Sequence, residues 1–400
     1  MRNVDKVALM SCATSRRRTA LTVCLPLIVM GSCENGGDTA DVMVRDSAGI
    51  TIVENGPTSP NPTWTVSPTP VFEVGWSEGG PAFEYVSAGA LLPDGGVVVG
   101  DDGAKTVFFL SRTGALVGHV GREGDGPGEF RGIISIVPLG SDTVLVQDYV
   151  SRRVQFLVGG QTDRVVRFVG EAGDAGQKIQ GRLPDGSFAL APYSYRPGPN
   201  YEVGWLAFPL VSAPPDLGVM DTLSFVDVFE QRRRDDRNPV RYYGLIAFSG
   251  DRFTYVRTDR PEARWMDQDG SVKQIARWNP GARTVTDEDW QAHQAFVRSY
   301  SREGPALESL LQEEKAAFGG ARPVARFTYG DTEGNIWLAE QTFAGPLDAR
   351  FTVVTADGRV IGPVVFPRAI EPLAISADLV LAHDQNEWGV QAVVLYRLTK

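Results

Sequence analysis

Four hundred residues with 42% hydrophobic and 22% charged side chains, 44 glycines and 26 prolines fit a β-rich globular chain and exclude a wholly disordered one. The formal net charge is −10; residues 1–32 hold five basic residues and one acid, so their removal leaves 34 basic against 48 acidic residues, a balance of −14. An acidic excess of that size disfavours nucleic acid and anionic lipid as partners.

The chain opens on a basic segment ending in Arg16, Arg17 and Arg18, followed by the apolar run 19–30 and by Gly31, Ser32 and Cys33. That is the layout of a secretion signal. Twelve apolar-leaning residues broken by Pro26 fall short of the roughly 20 needed to cross a bilayer. Small residues directly before Cys33 resemble a bacterial lipobox, with Met30 where that motif prefers leucine. The resemblance implies a signal peptide over 1–33, export, and a lipid on Cys33 that holds the protein to a membrane. Glu34 is not an inner-membrane retention aspartate, so the expected address is the outer membrane, facing the periplasm or the cell surface. All three cysteines, Cys12, Cys24 and Cys33, lie in this leader, which leaves the exported part without a disulfide or a thiolate metal site.

Residues 34–68 read as a tether and N-terminal extension, polar and glycine-rich at first, with GITIVE (49–54) as a short strand. Residues 69–400 read as one all-β domain. The stretch that sets its plan is GREGDGPGEF, Gly121 to Phe130, because a weaker copy, VGWSEGGPAF, stands 46 residues upstream at Val74 to Phe83. A repeat of that length between strand-like runs is the period of a propeller blade. Two successive units, 86–121 and 133–170, each hold four short apolar strands joined by glycine-bearing turns. The apolar residue after each central turn gives register marks at Val97, Val144, Phe188, Phe253, Ile336 and Val380, with intervals of 47, 44, 65, 83 and 44 residues. The two long intervals require insertions. The larger one is legible: over 286–320 strand alternation gives way to helical spacing in Trp290, Phe296, Val297 and in Leu307, Leu310, Leu311, with Thr286 and Asp289 as a capping-box start. The last unit has room for three strands, and the segment 70–76 lacks a sheet of its own. Pairing the two ends predicts a six-bladed β-propeller whose N- and C-terminal strands share one blade, with a helical hairpin inserted between blades four and five.

In VQDYVSRRVQFL (146–157), Asp148, Arg153 and Val154 resemble the NHL repeat, and the GREGDGPGEF loop resembles those of bacterial six-bladed propeller lipoproteins. The resemblance is strongest over residues 70–170. It implies that Asp148 and Arg153 pair to hold the loop between their strands. Arg122, Glu123, Asp125 and Glu129 cluster on one loop and, with Asp148, His383 and Asp384, are the candidate channel-rim binding residues. His119, His293 and His383 are expected on a strand, the inserted helix and a loop. Trp205, Trp265, Trp278, Trp337 and Trp388 are expected to pack in the core, and RRRDDR (232–237) to cover a solvated loop. The sequence carries no G-x-S-x-G, P-loop, EF-hand loop or paired zinc ligands. No catalytic residue is assigned. The reading is a monomeric binding or scaffold module for a protein, peptide or glycan at the cell envelope, without a cofactor. The alternative is a lactonase- or lyase-like enzyme using a divalent cation held by carboxylates in the channel.

Overall fold

The computed structural model describes residues 42–57, 64–76, 80–168, 176–193, 203–233, 235–343 and 348–400. The leader, Cys33 and the tether up to residue 41 lie outside them. Strands β1 (Val42–Ser47) and β2 (Ile50–Pro57) form a hairpin, followed by the short β3 (Thr65–Val66) and β4 (Phe72–Val74). Three antiparallel four-stranded sheets come next. The first is β5 (Val86–Leu91), β6 (Val97–Asp101), β7 (Thr106–Leu110) and β8 (Leu116–Gly121). The second is β9 (Ile133–Pro138), β10 (Thr143–Asp148), β11 (Arg153–Val158) and β12 (Gln161–Arg167). The third is β13 (Gln177–Arg182), β14 (Phe188–Pro192), β15 (Gly204–Ala213) and β16 (Asp221–Gln231). Its two long outer strands, with the connection to Gly244, take up the first long interval of the sequence.

The fourth sheet holds β17 (Gly244–Ser249), β18 (Arg252–Arg257), β19 (Glu262–Met266) and β20 (Val272–Asn279). On its outer edge β2 adds in parallel to β20, and β1 adds to β2. Within the stretch 34–68, then, residues 42–57 build sheet edge, a placement no sequence signal marked. Helices α1 (Asp287–Tyr300) and α2 (Pro305–Ala317) follow β20 in the chain. The capping box at α1 is complete: Thr286 accepts from the Asp289 amide, and the Asp289 carboxylate accepts from the Thr286 amide at 2.8 Å. Trp290, Val297, Leu307 and Leu311 pack between the helices. Neither helix is long and apolar enough to cross a membrane.

The last sheet runs β21 (Thr328–Gly330), β22 (Ile336–Ala339), β23 (Asp348–Val354), β24 (Val360–Ile375), β25 (Leu379–Gln385) and β26 (Gln391–Thr399). β24 serves twice: Val360–Val365 pairs with β23, and Glu371–Ile375 pairs with β25. β4 lies antiparallel on β26 with Phe72 opposite Leu395 and Val74 opposite Val393, and β3 continues the pairing with Thr65 opposite Thr399.

Every register mark named above sits in the second strand of a four-stranded unit and is at most 2% exposed. These strands are apolar on both faces, so each sheet must be covered on both sides. Six apolar clusters do this, each shared by two neighbouring units; Val98 and Val107 of the first sheet meet Ile133 and Val146 of the second, and Val97 and Val99 meet Leu381 and Val393 of the last. The first strands pack in sequence, β5 on β9, β9 on β13, β13 on β17, β17 on β21, β21 on β24 and β24 on β5, and enclose an axis. The two copies of the repeat do the same work. Phe83 (7% exposed) and Phe130 (0%) each wedge between sheets. Gly75 and Gly121 have φ of +121° and +141°, and a Cβ at either would lie 2.5 or 2.3 Å from the carbonyl oxygen of Gln391 or Lys105, so only glycine fits.

Two expectations need correction. Trp388 is 82% exposed, because it stands in the turn after β25 and not on a strand. His383 lies within β25, not in a loop, and is 6% exposed. The 232–237 loop also touches the helices: Arg237 pairs with Glu313 of α2 at 2.9 Å on the surface, and next to it the Asn238 side-chain Nδ2 donates to the Gly319 carbonyl.

Candidate functional site

In an antiparallel unit the start of the first strand and the end of the second lie at the same end. Residues flanking those points ring one mouth of the axis. Tyr85 precedes β5 and its carbonyl accepts from the Asp102 amide at 2.7 Å; Tyr149 follows β10 and donates to the Gly132 carbonyl at 2.9 Å. Tyr193 follows β14, Tyr243 precedes β17 and Phe327 precedes β21. Five successive units thus present an aromatic ring at one end. Tyr85 is 57% exposed, Tyr193 52%, Phe327 41% and Tyr243 39%, more than packing alone explains for large apolar rings grouped together. Tyr149 and Tyr193 lie 6.1 Å apart, centroid to centroid. Burial raises the Tyr193 phenol, and the nearby Tyr149, Tyr85 and Asp102 raise it further, so it stays a neutral hydrogen-bonding group.

The ring continues into a cavity of about 780 Å³. Tyr193, Tyr243 and Phe327 stand at its mouth side; Phe208, Phe229 and Leu245 come from the third and fourth sheets, and His293 and Phe296 of α1 with Phe343 complete the wall. Phe229 lies 5.9 Å from Tyr243, and Phe343 lies 5.6 Å from Phe318, beyond the end of α2. His293 is held by Glu314 of α2 at 3.0 Å. Two cations line the cavity, Arg241 and Arg326. Arg241 is tied to Asp236 at 3.7 Å; the Arg326 guanidinium lies 5.1 Å from the Phe327 ring centroid and meets no carboxylate among the described residues.

Further down the axis stand Lys178 of β13 and Glu371 at the first turn of β24 into the last unit. Burial lowers the Lys178 ammonium from its ordinary value, with the Glu371 charge acting the other way. His383 lies opposite Glu371 in register, its Nδ1 3.5 Å from the Glu371 carboxylate. Asp384 points the other way, onto Arg368, which also holds Glu73 of β4 at 2.8 Å; burial raises the Asp384 carboxyl and Arg368 opposes that.

None of the candidate channel-rim residues lines the cavity, whereas His293 and Phe296, expected on the inserted helix, do. Arg122 pairs with Glu129 at 2.6 Å and Asp125 with Arg131 at 2.6 Å, while Glu123 bridges to Phe130. The Glu129 carboxylate accepts from the Gly126 amide and from Arg122, both of which lower its pKa. Asp148 and Arg153 do come together, at 3.4 Å and fully buried. The aromatic ring was missed, although one signal was present: Tyr149 and Tyr193 each stand five residues past a register mark, Val144 and Phe188. Among the described residues no three His, Cys, Asp or Glu side chains come together as a metal-holding group.

No family model matches the sequence, and no curated protein matches it. Solved structures do resemble it in fold. A Bacteroides fragilis protein described as exported superposes with a TM-score of 0.50 at 12% identity, covering 87% of this chain and all of that one. A DUF4221-family member from Bacteroides vulgatus gives 0.52 at 9% identity, covering 86% of this chain and all of its own. A calcium-binding regucalcin from Agrobacterium tumefaciens gives 0.44 at 12%, covering 83% and 95%. At such identities the likeness concerns fold alone. The four-stranded antiparallel sheets of this all-β chain are those of a β-propeller.

Proposed function

We propose that the protein is an exported six-bladed β-propeller, anchored by a lipid on Cys33, that works as a binding module for a peptide or protein segment at the cell envelope. The count of six is supported by the double use of β24, the six inter-sheet clusters and the pairing of β4 with β26. The leader layout supports export and anchoring. The observation that carries the binding role is the ring of Tyr85, Tyr149, Tyr193, Tyr243 and Phe327, exposed at each position but the half-buried Tyr149, running into an aromatic cavity under α1. Its volume lies in the ~300–1,000 Å³ range of ligand pockets, and its lining, mostly apolar with a few polar groups, is what such pockets use. Tyrosines offer large rigid contact area at low entropic cost.

The test is the triple variant Tyr85→Ala, Tyr149→Ala, Tyr193→Ala. Peptides released from the envelope of the producing cell are passed over immobilised native and variant protein. With each stacking contact contributing ~0.5–1.5 kcal/mol, retention should weaken by about 10- to 1,000-fold while the melting temperature moves little, because Tyr85 and Tyr193 are half exposed. Equal retention by both proteins would remove this face from the account.

A further inference from the structure

Resting on that reading, we infer that the cavity receives the carboxyl terminus of a peptide whose last side chain is apolar or aromatic, with Arg326 holding the terminal carboxylate. Arg326 is half-buried, lies on the Phe327 ring and lines a cavity whose other walls are mainly apolar. In a chain of net charge −10 the other lining cation, Arg241, is already tied to Asp236, whereas no carboxylate among the described residues answers Arg326. A guanidinium with that surrounding favours an anion, and its planar fork suits a carboxylate. A low-dielectric wall strengthens such a pair.

The rest of the lining favours a peptide over a simple apolar acid. Past Glu340, whose amide donates to Arg350, the chain leaves its sheet, and among the described residues Gln341, Thr342 and Phe343 find no main-chain partner. Gln341 and Thr342 line the cavity, and their side chains make no hydrogen bond among the described residues. A segment lying along them would find donors and acceptors for its own main chain, while its last side chain enters among Phe208, Phe229 and Phe343. An alkyl acid has no groups to answer them.

The experiment uses the purified protein and two dye-labelled peptide libraries randomised at the last three positions, one with free carboxyl termini and one amidated. Anisotropy should select free-acid members ending in Phe, Leu or Tyr, bound at least ~10-fold more tightly than their amides, since hydrogen bonds to a charged group contribute ~1.5–3 kcal/mol. Arg326→Gln should bring the acids down to the level of the amides and leave the amides unchanged, and Arg326→Lys should restore part of the difference. The Arg326 side chain holds no partner among the described residues beyond Phe327, so both variants should keep the native melting temperature. Acids and amides bound equally, or weakened equally by Arg326→Gln, would overturn the carboxylate assignment while leaving the face a binding site. Dodecanoate binding more tightly than every peptide would transfer the cavity to free apolar acids and overturn the peptide. No binding in either library would overturn this inference together with the reading it rests on.

Discussion

Arg153→Met is expected to destabilise the protein by ~3–5 kcal/mol, read as a lower midpoint in guanidinium unfolding with the slope unchanged. The side chain is 2% exposed and Asp148 is 0% exposed. Arg153 approaches the Asp148 carboxylate at 3.4 Å and donates to the carbonyls of Glu129 at 2.7 Å, Gly124 at 3.3 Å and Asp125. It therefore threads the loop of the GREGDGPGEF repeat from beneath. Methionine fills much of the space, so the cost comes from three carbonyls and one buried carboxylate left without their cation. Asp148 keeps its other duties, accepting from the amides of Arg131, Gly132 and Ser151 at 3.0–3.1 Å. Arg122→Ala is the control: its side chain is 79% exposed, so losing its ion pair with Glu129 should change the stability read from the same curve by less than ~0.5 kcal/mol. Equal effects from both substitutions would contradict this account of the loop.

The same comparison shows how far the sequence reaches. Asp101 occupies the position of Asp148 in the first sheet and accepts from the amides of Glu84, Tyr85 and Ala104, but Thr106 stands where the arginine would be. The repeated aspartate is legible because its job stays within one unit: it closes the turn three residues on and ties the entry of the first strand, 16 or 17 residues back. The turn glycines, the wedge phenylalanines and the period between second strands are legible for the same reason. The helical hairpin could be read because its capping box and its 3.6-residue spacing break the alternation around it. What brings Tyr193, Phe229, Phe296 and Phe343 together is different. They stand on or beside two sheets and on an insertion, and which of them meet depends on the order of the units around the axis and on how α1 lies across them. No local pattern encodes that. The strand at 49–54 was legible and is β2, but its place was opaque because a strand's own alternation does not name its partner, here β20, more than 200 residues away.

Phe72→Ala carries the second large effect, a loss of ~3–5 kcal/mol in the same unfolding measurement. The ring is 8% exposed and lies opposite Leu395 in a cluster with Val97, Leu110 and Val393. It also covers Gly114, where a Cβ would stand 2.7 Å from its Cγ. Deleting it opens a cavity between the first sheet and the last, the one junction that is formed by two segments from opposite ends of the described chain. Its loss should expose the edge of β26, and unpaired edges template association, so the variant should also aggregate at lower temperature. The outlying Trp76→Ala, at a residue 37% exposed, should cost far less.

The aromatic face exists only if the units close into a ring, and closure requires the early strands β3 and β4 to lie on β26. Thr65 and Thr399 are opposed in register and both exposed, so cysteines placed there, with Cys12, Cys24 and Cys33 changed to serine, test that contact directly. A short bis-maleimide should join the pair within one chain in high yield, seen as a shifted band after denaturation, while Thr65→Cys paired with Asp142→Cys on the second sheet should stay open. Absence of the Thr65–Thr399 link, or equal linking of the control pair, would contradict the closed ring.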